Sequence, residues 1–392
     1  MEISLKPKLK ILTFSAYYLP GYKGGGPIKT IKNLIDNTQG SLSYKVVTSD
    51  RDLGDSQPYA DIRLNTWNSL ENSEIFYLRS GLKGLRRMLN IITKKDYDVL
   101  YLNSFFSPRF SLTPLLMSKL TKKQVILGPR GEFSKGALSI KRPKKIVYIS
   151  LFKLFRLQKS IVFQASSIYE KQDIIDTLGS NIDIYIAEDI GSQEFAEDLT
   201  LKDQKWLKGV FISRISPKKN LLLALNLLKD INDSVSYDIY GPIEDTHYWK
   251  QCENIISQLP SHIKVTYRGE IQPSEVIKTL SKYDFFFMPT QGENYGHVIA
   301  EALCAGLPLI ISNRTPWRGL EQDNLGWDID LDDIHGFRAA ITKLSKLSAN
   351  QLINKRQQIL SWSKNKFSQD DAVQDNINMF LYAYKKMSEN RK

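Results

Sequence analysis

Short runs of β-branched and aromatic residues alternate with stretches of helical length along most of this chain. Amphipathic patterns separate most of the runs, which is typical of βα repeats and parallel sheets. The runs are apolar almost throughout, as strands are when helices cover both faces of a sheet. The sequence therefore predicts an α/β protein with doubly wound, Rossmann-like sheets. The predicted strands are residues 10–16, 44–49, 74–78, 98–103, 123–128, 160–164, 182–186, 209–213, 236–240, 263–267, 284–289 and 307–311.

A length of 392 residues is enough for two such domains. Residues 189–208 are polar, acidic and without clear periodicity, so they form the predicted linker. We expect an N-terminal domain over residues 1–195 and a C-terminal domain over 205–368, facing each other across a cleft. Residues 369–390 predict a terminal helix that packs back on the first domain. Doubly wound sheets bind ligands at the carboxyl ends of their strands, so function is expected there.

Only two cysteines, Cys252 and Cys304, are present, and both lie in helical patterns. They exclude a disulfide framework and a thiolate metal cluster. The four histidines show no metal-ligand spacing, so no metal site is expected. The first apolar run is too short for a signal peptide, and no stretch approaches the roughly 20 apolar residues of a membrane span. The sequence therefore predicts a cytoplasmic protein.

Positive charge is concentrated in residues 79–160. This segment has 19 Lys and Arg residues but three acidic residues, which more than accounts for the formal net charge of +12. Cations and large apolar residues share helical patterns at 82–92 and 141–159, a combination that suits an anionic lipid surface. The alternative is that both are ordinary amphipathic helices with a solvated outer face. We expect peripheral attachment to the inner face of the plasma membrane, and no nucleic-acid partner, because no nucleic-acid-binding motif is present.

Two loops could hold an anion. Gly24, Gly25 and Gly26 precede a proline and a helical pattern, which places backbone amides at a helix N-terminus. The alternative is a flexible turn. In the second domain, Arg214 follows a buried strand and Lys219 stands at the start of the next helix. These two cations can neutralise a diphosphate, or they can pair with loop carboxylates.

The most informative segment is DFFFMPTQGENYGHVIAEALCAGLPLII, residues 284–311. A strand is followed by a loop with Glu293 and by a helix that begins near Tyr295 or Gly296. The amides of Asn294, Tyr295 and Gly296 would face a phosphate. Glu301 lies about 7 Å further along the helix, where its carboxylate could bind ribose hydroxyls. An ordinary solvated glutamate is the alternative.

The sequences SRISPKKN (213–220) and ENYGHVIAEALCAGLPLI (293–310) resemble the donor-site signatures of retaining GT-B glycosyltransferases of family 4, the glycosyl transferases group 1. Seven residues separate Glu293 from Glu301, as in that family's paired glutamates. The resemblance implies a GT-B fold, transfer of a sugar from a nucleotide-diphosphate donor with retention, and no metal or other cofactor. Further segments resemble members that build bacterial surface polysaccharides: 48–59, 128–138, 163–174 and 362–368.

The resemblance also implies roles for individual residues. Arg214 and Lys219 would hold the diphosphate and stabilise its charge as the glycosidic bond breaks. Glu293 would contact the donor sugar and Glu301 the ribose. The glycine loop would approach the β-phosphate, and Gly241 would lie near the nucleobase. No protein nucleophile is implied.

Two positions depart from the family pattern. The family often has histidines where this chain has Asn103, after the fourth predicted strand, and Gln164. We expect Asn103 and Arg130 to orient the acceptor instead, by hydrogen bonding and charge.

The sequence thus predicts a metal-independent hexosyltransferase that uses a nucleotide sugar and a polyprenyl-diphosphate-linked glycan acceptor. The pathway would be biosynthesis of O-antigen, capsule or exopolysaccharide. One alternative is a nucleotide-sugar epimerase on the same scaffold, which would convert the donor alone. Another is a non-catalytic basic protein that binds membrane or nucleic acid.

Overall fold

The computed structural model describes residues 8–199, 206–368 and 371–389. The chain divides between Ile190 and Gly191 into an N-terminal and a C-terminal unit, and the last helix returns to the N-terminal unit. Residues 200–205 of the expected linker, and residues 369, 370 and 390 of the expected terminal helix, lie outside the described residues. Within those described, no helix is long and apolar enough to cross a membrane.

Each unit is built on one sheet. The N-terminal unit contains strands β1 to β8, at Leu9–Ser15, Leu42–Ser49, Trp67–Leu70, Ser73–Leu78, Val99–Asn103, Gln124–Gly128, Ile161–Ala165 and Asp183–Ile186. The C-terminal unit contains strands β9 to β14, at Leu207–Ile212, Val235–Tyr240, Ile263–Gly269, Phe285–Met288, Leu309–Ser312 and Gly326–Ile329. Every predicted strand is present within about two residues, because continuous apolar runs mark strands that are buried on both faces.

Thirteen α-helices lie in the described residues. Helices α1 to α6 span Gly26–Thr38, Leu82–Thr93, Thr113–Ser118, Lys135–Ser139, Arg142–Leu154 and Ile168–Leu178. Helices α7 to α13 span Leu221–Lys229, Thr246–Ile256, Val276–Leu280, His297–Cys304, Ile334–Ser345, Ala349–Ser368 and Asp371–Glu389.

The N-terminal sheet has the order β3-β4-β2-β1-β5-β6-β7-β8, and only β3 is antiparallel to its neighbour. Alternate residues of its strands enter two cores, one on each face. Helices α1 and α13 cover one face, while α2, α3, α5 and α6 cover the other. The unit is therefore doubly wound, and the terminal helix packs on it as the sequence predicts.

The C-terminal sheet is wholly parallel, with the order β11-β10-β9-β12-β13-β14. The strand order reverses between β9 and β12, as it does between β1 and β5 in the other unit. Connections on either side of such a switch point leave in opposite directions, which opens a crevice at the carboxyl ends of the strands. The fold thus places the loops after β9 and β12 at the position where this architecture binds ligands.

Candidate functional site

Strands β9 and β12 pair closely at the switch point of the C-terminal sheet. Phe285 lies in register with Gly209, and a Cβ on this glycine would stand 2.5 Å from the Phe285 ring. A larger residue would separate the strands here, because real Cβ atoms do not approach other heavy atoms so closely. The pairing brings the loop of residues 213–220 against the loop of residues 289–296.

Hydrogen bonds join these two loops. The Gln291 amide donates to the Lys218 carbonyl over 2.8 Å, and the Thr290 hydroxyl oxygen lies 3.2 Å from the same carbonyl oxygen. The Asn220 side chain donates to the carbonyl of Pro289 over 2.9 Å. Because both loops are fixed to each other, the two sequence signatures form one rigid site rather than two separate segments.

Lys219 and Glu293 form an ion pair at the centre of this site. The Lys219 Nζ lies 2.6 Å from Glu293 Oε1, and the two side chains are 12% and 11% exposed. Thr290 donates a further hydrogen bond to the same oxygen over 3.1 Å. Burial raises the pKa of Glu293, but the charges of Lys219 and Lys218 and these hydrogen bonds outweigh it, so its pKa falls below the ordinary value. The carboxylate is therefore held ionised beside its lysine.

Arg214 also has a carboxylate partner. Its guanidinium donates to Glu244 over 2.9 Å, and both side chains remain more than one third exposed. Gly241 ends β10 beside this pair, with a φ of 132° and a missing Cβ that would lie 2.0 Å from the Ser213 carbonyl oxygen. Both cations thus follow the alternative weighed from the sequence, since each pairs with a loop carboxylate.

Helix α10 begins next to the ion pair, at His297. The start expected from the sequence was one or two residues earlier, and Gly296 instead takes the left-handed conformation that precedes the helix, with φ 79°. The Tyr295 side chain is buried, and its carbonyl accepts from the Trp317 indole over 2.6 Å. Its ring therefore packs in the core, and only its backbone remains for the expected phosphate contact.

Glu301 lies just over one turn inside α10, and it is buried, with 7% of its surface exposed. This differs from an ordinary solvated helix glutamate, because burial of a carboxylate carries a desolvation cost. The position on α10 is consistent with the predicted spacing of Glu301 from the helix start. Its contact with a ribose stays a prediction.

The sequence analysis missed four contributors to the site: Lys218, Glu244, Thr290 and Arg314. Thr290 donates to Glu293, and the charge of Lys218 lowers the pKa of that carboxyl. Glu244 pairs with Arg214, and the Arg314 carbonyl accepts the Glu293 amide over 3.1 Å. Each lies within a few residues of the carboxyl end of a strand. Polar residues that follow a buried parallel strand would have been the signal for them.

In the N-terminal unit, the glycine loop connects β1 to α1. Gly25 has a φ of 70° and Pro27 begins the first turn of α1, so the loop forms a helix entry as predicted. The Asp52 carboxylate accepts the amides of Tyr22 and Lys23 over 2.7 and 3.0 Å. Asp52 therefore holds the start of the loop, and contact of Gly24, Gly25 and Gly26 with a phosphate stays a prediction.

Asn103 and Arg130 meet at the carboxyl ends of β5 and β6. Arg130 donates to Asn103 over 2.8 Å and to Asp189 over 2.7 Å, and it also contacts Tyr101 and Gln164. Its side chain is only 6% exposed. The guanidinium thus binds groups within its own unit, and the expected role of both residues toward an acceptor stays a prediction.

Within the described ranges, no group of three or more His, Cys, Asp or Glu side chains is placed to hold a metal ion. Positive charge at the switch point instead comes from the side chains of Arg214, Lys218 and Lys219.

The C-terminal unit is similar to a known protein family. Residues 192–361 match the family described as Glycosyl transferases group 1, so this unit carries a group 1 domain that includes the loops after β9 and β12. The chain is also similar to a Klebsiella pneumoniae protein described as an uncharacterized 41.2 kDa protein in the cps region. The two are 24% identical over 75% of this chain and 81% of that protein.

Solved structures share the fold of both units. Sucrose-phosphate synthase from Thermosynechococcus elongatus matches with a TM-score of 0.71 at 13% identity, over 98% of this chain and 100% of that one. Anabaena Alr3699/HepE, solved in complex with UDP-glucose, matches with a TM-score of 0.67 at 12% identity, over 97% and 99%. These likenesses confirm the predicted GT-B fold.

Proposed function

We propose that this protein transfers a hexosyl group from a nucleotide-diphosphate sugar to a glycan acceptor, with retention at the anomeric carbon. The observation that carries the proposal is the junction of Arg214, Lys219, Glu293 and the start of α10 at one switch point. A diphosphate needs fixed positive charge and backbone amides, and this junction supplies both.

The two ion pairs suggest how the donor is received. Glu244 is exposed and lies on the loop after β10, so an incoming diphosphate can replace it at Arg214. Lys219 is held by Glu293, and three rotatable ammonium donors let it bind a phosphate oxygen without leaving that carboxylate. Glu293 then presents its second oxygen to a hydroxyl of the donor sugar, and Glu301 binds the ribose.

The chemistry follows from this arrangement. The bond between the anomeric carbon and the β-phosphate oxygen breaks, and the acceptor oxygen bonds to the anomeric carbon on the same face. The acceptor proton passes to the departing phosphate oxygen. Arg214 and Lys219 stabilise the negative charge that develops there, a contribution typically worth several kcal/mol, so the reaction is proposed to need no metal.

The Klebsiella relative, described as a protein in the cps region, suggests the pathway that supplies the acceptor. We propose a polyprenyl-diphosphate-linked glycan, in biosynthesis of a bacterial surface polysaccharide on the cytoplasmic side of the membrane. The UDP-glucose in the HepE structure belongs to that protein, and it makes UDP-sugars the first donors to try here.

Thermal unfolding with a panel of nucleotide sugars tests the donor site. We expect one nucleotide to raise the melting temperature equally with Mg²⁺ and with EDTA, because protein cations neutralise the diphosphate. Glu301→Gln should abolish most of the shift, whereas Glu253→Gln, which alters an exposed carboxyl on α8, should keep it. A panel without any shift would contradict the proposal, as would a shift that requires Mg²⁺.

Turnover distinguishes the two alternatives. An epimerase would convert the nucleotide sugar without acceptor, whereas the proposed transferase forms a new glycoside only when acceptor is added. A non-catalytic binding protein would give neither product. Chromatography of the products after incubation with and without a polyprenyl-linked glycan separates the three outcomes.

A further inference from the structure

Helix α5 carries apolar residues on its outer side as well as on its core side. Phe152 is buried and Tyr148 and Ile149 pack against the same core, whereas Val147, Leu151 and Leu154 are exposed. Leu154 is 71% exposed, and Phe155, which follows the helix, is 67% exposed. A surface helix ordinarily turns its polar side to water. The apolar outer face of α5 therefore needs a partner other than water.

Helix α2 repeats this arrangement. Met88 and Ile92 enter the core, while Leu82, Leu85 and Leu89 stay exposed, Leu82 to 78%. The exposed apolar residues of α2 and α5 thus belong to helices that cover the same face of the N-terminal sheet.

Cations surround these apolar residues. Exposed lysines and arginines flank α5 at Lys141, Arg142, Lys144, Lys153 and Arg156, and α2 carries Lys83, Arg86 and Arg87. We call these eight cations, together with Leu82, Leu85, Leu89, Val147, Leu151, Leu154 and Phe155, the basic apolar surface.

The three acidic residues of segment 79–160 do not neutralise this surface. Asp96 pairs with Lys10 and Lys45, and Asp98 accepts the Lys10 amide. Glu132 is held by the amides of Phe105 and Phe106. Burial lowers the pKa of Lys145 on α5, and Glu132 lies close enough for its charge to oppose this, while Asp173 and Asp176 of α6 line one pocket with Lys153. The eight cations outnumber these three carboxylates, so the surface keeps a net positive charge.

We propose that the basic apolar surface docks this protein on a bilayer that contains anionic lipid. The apolar residues of α2 and α5 enter the boundary between headgroups and acyl chains, and the flanking cations bind lipid phosphates. A second copy of the chain fits less well, because two equally positive surfaces repel each other. The attachment is independent of the sugar donor, so it goes beyond the proposed function.

Vesicle co-sedimentation, without nucleotide, tests the docking. We expect binding to vesicles of phosphatidylcholine with phosphatidylglycerol and little binding to phosphatidylcholine alone. Raising the salt from about 0.1 M to about 1 M should release most of the protein, because screening shortens the range of the cationic attraction. Vesicle binding without nucleotide tests the docking, and the thermal shift with nucleotide but without vesicles tests the donor site. Either proposal can therefore fail without the other.

Charge and apolar contact are separated by matched variants. Leu151→Ser with Leu154→Ser should lower partitioning by at least about tenfold, since two apolar side chains leave the acyl boundary while the charge stays the same. Leu381→Ser, which alters an exposed leucine on α13 at the opposite face of the sheet, should bind like the parent protein. Arg142→Glu with Lys144→Glu should also weaken binding, whereas Lys250→Glu with Lys278→Glu, exposed in the C-terminal unit, should weaken it much less.

A fluorescent probe reports insertion even if a charged variant folds poorly. Cys252 and Cys304 are buried, and burial raises the pKa of Cys252 to about 12, so an introduced cysteine can be labelled selectively. An environment-sensitive dye on Leu154→Cys should shift to the blue with anionic vesicles, and the same dye on Leu381→Cys should not.

Three results would overturn the docking. The first is absence of binding to anionic vesicles at low salt. The second is equal binding of the Leu151→Ser, Leu154→Ser variant and its control, which would mark a purely electrostatic surface of the kind that also retains RNA. The third is a dye at position 154 that does not respond to vesicles.

Discussion

Lys219 and Glu293 illustrate what a buried ion pair does at a binding site. The pair contributes little net stability once the desolvation of both charges is counted. Loss of either partner is nevertheless destabilising, because the other charge then remains buried without a counter-ion. It fixes the direction of the Lys219 ammonium before any ligand arrives, so less side-chain entropy is lost on binding. Thr290 hydrogen-bonds the Glu293 carboxylate, and the charge of Lys218 helps to lower its pKa.

The depressed pKa of Glu293 predicts a specific pH dependence. A carboxylate with a lowered folded-state pKa stabilises the protein above its ordinary value of 4.5, and that contribution is lost as the pH falls through the folded value. Glu293→Gln should therefore reduce the free energy of unfolding by about 3 kcal/mol near pH 7, and by progressively less below about pH 4.5.

Urea unfolding, followed by tryptophan fluorescence at several pH values, measures this difference. Glu253→Gln on α8 serves as the control, because its exposed carboxyl has no such environment. A difference between Glu293→Gln and the parent protein that stays constant from about pH 7 to about pH 3 would contradict the assignment.

The sequence identified the individual site residues better than it identified the residues that they contact. Arg214 and Lys219 follow β9, Glu293 follows β12 and Glu301 lies on α10, as local motifs can predict, whereas their roles toward a donor stay predictions. The Lys219 to Glu293 contact joins residues 74 positions apart, and spacing alone does not reveal which carboxylate a lysine selects. Arg130 shows the same limit, since its contact with Asp189 depends on the folding of β6 and the chain after β8.

At the scale of elements, Gly241 sets how β10 meets the site. Its positive φ and its closeness to the Ser213 carbonyl let the end of β10 lie directly against the loop that carries Arg214. Gly269 has a comparable positive φ of 80°, but nothing lies within 4 Å of the Cβ it lacks. Substitution of Gly269 would therefore cause backbone strain alone, whereas substitution of Gly241 would cause backbone strain and a steric clash.

We predict that Gly241→Ala destabilises the C-terminal unit by roughly 2 kcal/mol more than Gly269→Ala does. Both variants acquire conformational strain, and only the first also forces backbone atoms apart. Thermal or urea unfolding of the two variants provides the comparison. Equal losses of stability would show that the Ser213 contact has little importance.

Elements with continuous apolar runs were predicted well, and the exceptions have physical reasons. Strands β3 and β14 were missed because Trp67–Leu70 and Gly326–Ile329 are short and contain polar residues. The apolar face of α2 was recognised from the sequence, and the structure divides it, with Met88 and Ile92 buried and Leu82, Leu85 and Leu89 exposed. A helical pattern identifies an apolar face without showing what covers it.

For the whole molecule, α13 is the element that links the end of the chain to its beginning. Phe380 is fully buried on the N-terminal sheet, edge-on to Tyr44 and Tyr101, with ring centroids at 6.3 and 5.2 Å. Asn376 donates to the Glu188 carbonyl over 2.8 Å. The helix is therefore part of the first core, although the whole C-terminal unit precedes it in sequence.

Phe380→Ala should destabilise the N-terminal unit by about 3 to 5 kcal/mol, because it empties a packed aromatic site. The adjacent Leu381→Ala, at a position 37% exposed, should cost much less. Unfolding curves of both variants, compared with the parent protein, measure the effect. Indistinguishable midpoints for the two variants would mean that α13 contributes little to this core.

The return of α13 also bears on how the protein is made. A ribosome releases strands β1 to β8 long before the helix that covers one side of them, so the nascent chain presents Tyr44 and Tyr101 uncovered while translation continues. The C-terminal unit is contiguous in sequence and meets no such delay. The N-terminal unit is thus synthesised first but folds completely last. Until α13 emerges, the apolar face that it covers is exposed, and chaperones bind surfaces of this kind.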